Sequence, residues 1–224
     1  MNKREDILLT TIRLYHEKGD SVSLDAVAKE AGCSKTLIIH YYGNRSNLLS
    51  SCFGLVCREV RCAFNNVEAP ETHDRDSLKQ HLTELWRAYF DYLKNNPLKA
   101  RFFIQYSHSH EPLPPRYMTP EKVILRILNE GYSDLMRDDP HLSFDIKCMV
   151  AIAHGMAAFV FSNDTEPKDE LTERCIFVMM NGVMASDRDA PDSTADPSEA
   201  RNRAVPLKNA VLTFRLCNGW KGHG

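Results

Sequence analysis

The sequence predicts an all-α protein, and three observations predict it. Apolar residues recur at helical spacing along most of the chain, no segment shows the period-two alternation of a strand, and Gly and Pro punctuate the pattern at helix-length intervals. The helices group into an N-terminal three-helix unit with helix-turn-helix proportions (1–48) and a helical domain (49–186), joined by a long helix. A polar tail (187–224) reads as poorly ordered, with one possible extra helix in "VPLKNAVLTFRLC".

The first helix lies in "REDILLTTIRLYHEKG", where Ile7, Leu8, Ile12 and Leu14–Tyr15 approach helical spacing and Gly19 is the stop. "SLDAVAKEAG" is a short second helix with Ser23 as N-cap, Asp25 at the positive end of the dipole and Gly32 as terminator. "KTLIIHYY" follows, capped by Ser34, and a longer fourth helix runs from about Asn47 to Asn65. After the polar break "NVEAPETHDR", a fifth helix runs from Ser77 to Asn95, and Pro97 opens a sixth that reaches Ser107. "HSHEPLPPRYM" is a Pro-broken loop. Thr119–Pro120 opens a seventh helix reading on to Arg137, an eighth spans Ser143 to Asn163, and a ninth spans Lys168 to Ser186.

Bulk properties exclude several classes. With 43% hydrophobic residues in 224 the chain can build a substantial core, and a net charge of −2 means that any nucleic-acid contact must come from local placement of Lys and Arg. The N-terminal stretch lacks the apolar region of a secretion signal, and the longest nearly apolar run, Cys148 to Phe161, contains His154 and is too short to span a bilayer; a cytoplasmic protein is expected. Seven cysteines, an odd number at irregular spacing, do not form a disulfide framework, and the sequons "NRS" and "NDT" carry no weight in that compartment. No Gly-x-Ser-x-Gly elbow, His-Glu-x-x-His or Gly-rich phosphate loop is present, so an enzyme is not expected and no cofactor is implied. His108, His110 and Glu111 have no partner at metal-ligand spacing, so no metal site is assigned.

The informative stretch is 32–49. Ala28 must be small where the next helix crosses, Gly32 supplies the positive-φ turn, and Ile38 lies between the two helices with Val27, Ala31 and Cys33 completing a small inner surface. On a wheel of about 100° per residue, Lys35, Thr36, Ile39 and His40 fall on one side of the third helix and Ile38 and Tyr42 on the other. The adjacent isoleucines are thereby separated: Ile38 is core, and Ile39 belongs to the face that would enter a major groove.

On these residues, "VSLDAVAKEAGCSKTLIIHYYGNRSNLL" resembles the DNA-binding signature of the TetR (tetracycline repressor) family of bacterial regulators, closely over about residues 5 to 50 and beyond that in helix count and order. The resemblance implies that Lys35 and Thr36 reach base edges or phosphates, that His40 and Tyr41 touch backbone or bases, that Arg45 binds a phosphate, and that Ser23 meets the backbone. Ser34, at the N-terminus of the same helix, completes the candidate set. Two positions depart from the family pattern: Ile39 stands where a tyrosine usually clamps a phosphate, and Leu37 where a hydroxyl residue is common. An apolar Ile39 suits a thymine methyl.

In the second half, Leu82, Trp86, Tyr89, Phe90 and Leu93 form a stripe joined by Phe102, Phe103 and Tyr106. For any one of these a plain core role is the simpler reading, yet Tyr and Trp need polar partners when buried and suit a pocket with a few anchors. The ligand-binding candidates are Trp86, Tyr89, Phe103, Tyr106, Tyr117 and His154, with the loop ahead of Tyr117 as cover. "CMVAIAHGMAAFVF" and "CIFVMMNGVMA" are apolar on most faces, and Ala151, Gly155 and Ala158 allow close approach; the same helices of a second copy are the expected cover, giving a homodimer. Cys52, Cys57 and Cys62 recur at five-residue steps, about 140° apart, and cannot converge as ligands or as an intrahelical disulfide.

Together these readings predict a homodimeric, ligand-responsive regulator, most simply a repressor of a pseudo-palindromic double-stranded DNA operator, with an unidentified small-molecule effector and no membrane partner. The alternatives are a ligand-binding dimer whose DNA face is degenerate, and a thiol redox sensor acting through the fourth helix.

Overall fold

Side-chain caps decide where the N-terminal helices begin. In the computed structural model, which describes residues 2–107, 117–138, 141–162 and 169–183, helix α1 spans Lys3–Lys18 and is opened by Asn2, whose side chain accepts from the Arg4 amide. A 3-10 turn at Gly19–Ser21 leads to α2 (Leu24–Glu30) and α3 (Lys35–Tyr42). Ser23 accepts from the Ala26 amide at 3.2 Å and Ser34 from the Leu37 amide at 3.1 Å, so both serines are the expected N-caps, each worth about 1 kcal/mol.

Helix α4 (Arg45–Asn65) begins two residues ahead of its expected start because Asn44 caps it, and α5 (Arg75–Asn95) does the same under Asp74. Helix α6 (Pro97–Ser107) agrees with its expected span. The seventh helix requires a correction: expected to run through to Arg137, it ends as α7 (Pro120–Gly131), and α8 (Ser133–Asp138) is a separate short helix. Tyr132 leaves helical geometry at φ −130° and ψ 35° and turns its ring inward against His73 and His81, so the helix breaks where an aromatic is buried. The expected eighth and ninth helices are therefore α9 (Leu142–Ser162) and α10 (Asp169–Val183). Among the described residues there is no strand, and no helix is long and apolar enough to cross a membrane. The His108–Glu111 motif, most of the Pro-rich loop and the tail lie outside the described residues.

The described helices belong to one compact unit, Met1–Ser186. Helix α1 packs on α2, α4 and α6; α4 also meets α3, α5, α6 and α7; α9 lies on α6, α7 and α10; and α10 on α5. Helix α4 supplies core to both ends, Leu48 and Leu49 beneath the short helices and Phe53, Val56, Val60 and Phe64 among the aromatics. Polar clamps fix the rest. Lys99 Nζ donates to both Glu59 oxygens at 2.9 and 2.7 Å and Tyr92 Oη donates to Glu59 at 2.8 Å, tying α4, α5 and α6 together. Arg87 grips Glu173 with two nitrogens at 2.8 and 3.0 Å, and Lys94 pairs with Asp169, fixing α10 to α5.

Candidate nucleic-acid interface and effector site

The reading unit is built on the α2–α3 turn. Gly32 sits at φ +60°, and a Cβ placed there would meet nothing within 4 Å, so the turn needs glycine for its backbone conformation and not for space. The Cys33 amide donates to the Ala28 carbonyl at 2.9 Å and closes the turn across the position expected to be small. Val27, Ala28, Ala31 and Ile38 are buried and Cys33 is half-buried, as the spacing requires.

The two isoleucines of α3 separate as expected: Ile38 is 0% exposed and Ile39 44%. Lys35, Thr36 and His40 are exposed beside Ile39, so α3 presents a cation, a hydroxyl, a branched apolar side chain and an imidazole on one outward face. Ser23 and Ser34 are exposed at the N-termini of α2 and α3, though each oxygen already accepts from its own helix. Lys35 Nζ reaches Asp25 Oδ2 at 2.8 Å, an exposed pair that costs little to break when a phosphate competes for the ammonium.

Two of the expected contact residues are engaged within the protein. Arg45 Nε donates to the Val22 carbonyl at 2.7 Å and its Nη2 to the Asp20 carbonyl, so the guanidinium anchors the segment between α1 and α2 to the start of α4. Tyr41 is half-buried, with the Arg4 guanidinium over its ring at 4.6 Å, and its neighbour Tyr42 donates to the Arg4 carbonyl at 2.7 Å. Arg4 was not singled out from the sequence, although a basic "KR" at the head of an amphipathic helix was a signal. Lys3 Nζ donates to the Ala31 carbonyl at 2.6 Å and Arg13 pairs with Glu30 at 2.7 Å, so cations of α1 hold the C-terminal end of α2.

Below this unit the aromatic candidates do converge. Tyr89 Oη and His154 Nδ1 are 3.3 Å apart, and the Phe103 ring lies 5.4 Å from that imidazole. Phe53, which the sequence analysis passed over, joins them: it stacks on Phe103 at 4.9 Å and meets Tyr106 at 5.3 Å and Tyr117 at 6.3 Å. Its signal was the α4 periodicity, read there as core alone. Trp86 is fully buried against Tyr89, and its indole Nε1 has no acceptor among the described residues, an unsatisfied donor that costs about 1–3 kcal/mol. Tyr117 rides directly on α4: a Cβ on Gly54 would stand 2.3 Å from its Cε1, and Ser50 Oγ donates to its hydroxyl at 3.4 Å. Burial holds the Tyr89 phenol far above the usual phenol range, so it acts as a neutral hydroxyl.

A separate cavity of about 350 Å³ lies at the C-terminal end of α4, walled by Phe64, Val67, His73, His81, Ile127 and Tyr132. None of the six aromatic and histidine candidates lines it. Among the described residues no group of three or more His, Cys, Asp or Glu side chains is placed to hold a metal. Cys52 and Cys57 are buried in α4, which raises both thiols, Cys57 to about 12, and keeps them protonated and unreactive. Helices α9 and α10 leave apolar surface uncovered: Phe144 is 66% exposed, Phe177 67% and Val178 48%, with Ala151, Ile152 and Gly155 exposed between them along α9.

Known proteins match this arrangement. Residues 7–52 fit the family model of the bacterial regulatory proteins of the tetR family. A tetR family transcription regulator from Shewanella sp. PV-4 shares 20% identity at a TM-score of 0.63, over 80% of this chain and 96% of that one. A TetR family regulator from Marinobacter aquaeolei VT8 shares 21% at 0.55, over 81% and 95%, and PfmR from Thermus thermophilus shares 19% at 0.57, over 78% and 97%. These likenesses are of fold, and no curated protein matches the chain. Residues 7–52 thus match the domain that marks the bacterial regulatory proteins of the tetR family, and the chain carries it on a fold that solved regulators of that family share.

Proposed function

We propose that this chain is a ligand-responsive repressor that binds a pseudo-palindromic operator as a homodimer and leaves it when a small molecule occupies the C-terminal half. Residues 1–48 read DNA, and residues 49–186 bind the effector and dimerise. The observation that carries the reading is the outward face of α3, where Lys35, Thr36, Ile39 and His40 stand exposed while Ile38 is wholly buried. Lys35 and Thr36 meet phosphates or base edges at the helix N-terminus, and Ile39 packs on a thymine methyl. Ser23, Ser34 and His40 complete the contact set at the periphery. Tyr41 and Arg45 act on DNA chiefly by setting the pose of α3, since their side chains hold α1 and the segment before α2.

The uncovered apolar surface of α9 and α10 supports a dimer through those helices, as a four-helix interface places two copies of α3 on one side of the assembly. The mechanism is a coupling free energy between two conformations, with α4 as the shared element because its residues are packed into both ends of the unit. Tyr117 pressed on Gly54 supports a direct route from the residues that lead into α7 to α4.

The test compares two substitutions on operator variants. Ile39→Ala is expected to weaken binding about tenfold at operators that keep one particular thymine and little where that base is changed. Lys35→Ala is expected to weaken all operators alike and to reduce the salt slope by about one. Uniform loss for Ile39→Ala removes the methyl contact and favours a degenerate reader.

A further inference from the structure

The cavity at the C-terminal end of α4 is open, and the most buried polar groups on its largely apolar wall are His81 and Tyr132. Its volume of about 350 Å³ falls at the lower end of the range for small-molecule sites, about 300–1,000 Å³. His81 is only 6% exposed and lines it, in the middle of a helical face otherwise made by Leu78, Leu82 and Leu85. A histidine at that position needs partners for two ring nitrogens. Nδ1 has one, the Tyr132 hydroxyl at 3.2 Å, and Nε2 has no hydrogen bond among the described residues.

We infer that this cavity binds a compact, uncharged, largely apolar molecule bearing one hydroxyl or carbonyl group, and that the His81–Tyr132 pair is its polar anchor. The pair serves either group. With the phenol donating to Nδ1, the ring carries its proton on Nε2 and donates to a ligand oxygen; with Nδ1 donating to the phenol oxygen, Nε2 accepts from a ligand hydroxyl. Burial keeps the imidazole neutral and the Tyr132 phenol protonated, so the anchor itself brings no charge. Charge on the ligand is excluded by the lining. Among the described residues no Lys or Arg faces the cavity, so a carboxylate would enter without a counter-ion and beside Glu130. Glu130 is exposed and already paired with Arg126 at 2.7 Å, so water and the guanidinium screen its charge and it offers an ammonium in the cavity little attraction. His73 stacks edge-on against Tyr132 at 5.5 Å and, with Phe64 and Ile127, supplies wall for an aromatic or branched aliphatic body.

The site lies where α7 breaks, so filling it bears on the Gly131–Tyr132 break, and α7 also packs on α4. Its role as the effector site rests on the ligand-responsive reading above; its existence as a binding site does not. The experiment titrates the full chain, with histidines labelled by nitrogen-15, with para-ethylphenol, para-ethylbenzoate and ethylbenzene. The expected result is a movement of the His81 ring-nitrogen signals by para-ethylphenol, with affinity about tenfold above either of the other probes. Tyr132→Phe, which keeps the ring, is expected to lose about tenfold for the phenol while its circular dichroism stays native. His81→Leu is expected to bind phenol and ethylbenzene equally, and Phe103→Leu to leave both unchanged. Equal affinity for the benzoate and the phenol overturns the proposal. So does a response lost in Phe103→Leu and kept in Tyr132→Phe, or no binding at the solubility limit of the phenol. Phenol binding at His81 with operator affinity unmoved keeps the site and removes its effector role.

Discussion

The two ends of α4 solve different problems with different side chains. At its N-terminal end small residues, capped helices and cations from α1 hold a short helix in one pose, and the outer face of that helix is left exposed. Around its middle and C-terminal end, large rings meet ring to ring, one buried indole has no acceptor among the described residues, and an open cavity remains. The first arrangement preserves a geometry, and the second leaves polar capacity unused where a guest can take it up. The proposed regulator needs both, since a fixed reading head gains ligand dependence only from a body with two states of similar free energy.

The sharpest way to break the comparison is the pair of isoleucines. Ile38→Ala is expected to destabilise the chain by about 2–5 kcal/mol, because it opens a cavity between α2 and α3, whereas Ile39→Ala should stay within about 0.5 kcal/mol; urea denaturation of both measures the contrast. Comparable losses would mean that the exposed isoleucine is structural after all. Next in size is Gly54→Ala. Its Cβ would lie 2.3 Å from the Tyr117 ring, so Tyr117 must move, at a cost of about 1–3 kcal/mol in the same assay and with a change in its ring signals. Lys35→Ala should leave stability unchanged, since its ion pair with Asp25 is exposed, and act only on DNA affinity and its salt dependence.

The smallest expected effect is a pH dependence at the other end. His81 is held neutral by burial, so its folded-state pKa lies below the unfolded value of 6.5 and the unfolded chain binds the extra proton. Stability is then full above about pH 6.5 and declines as the pH falls through 6.5 toward the folded-state pKa. A His81→Leu variant should show a flatter profile over that window in denaturation experiments at a series of pH values; Tyr132 is in ring contact with His81, and His73 with Tyr132.

How much of this was legible in the sequence follows the same division. The reading head is local: Ser23, Ser34 and Gly32 act within a few residues of themselves, and the 3.6-residue period alone separates Ile38 from Ile39. Charge was legible at Arg45, but its partners were not, because the carbonyls of Asp20 and Val22 come to it only through the packing of α1, α2 and α4. In the body, Tyr89, Phe103 and His154 were legible as a group of chemistry-bearing residues and do meet. Phe53 was missed since a core position on one helix says nothing of which rings arrive from others. The α7 break was missed for a related reason: Tyr132 leaves the helix to reach His81, a contact that no local pattern encodes. The one warning available was a histidine among the leucines of α5.

The most direct test of the central claim is fluorescence anisotropy of the full chain on DNA flanking its own gene, against scrambled DNA of equal length at about 150 mM salt. The account predicts a preference of about a thousandfold or more for the native fragment, lost on mutation of the exposed face of α3. Equal, salt-steep affinity for both, repeated on neighbouring promoter fragments, would contradict it and leave a ligand-binding dimer whose α3 no longer reads sequence.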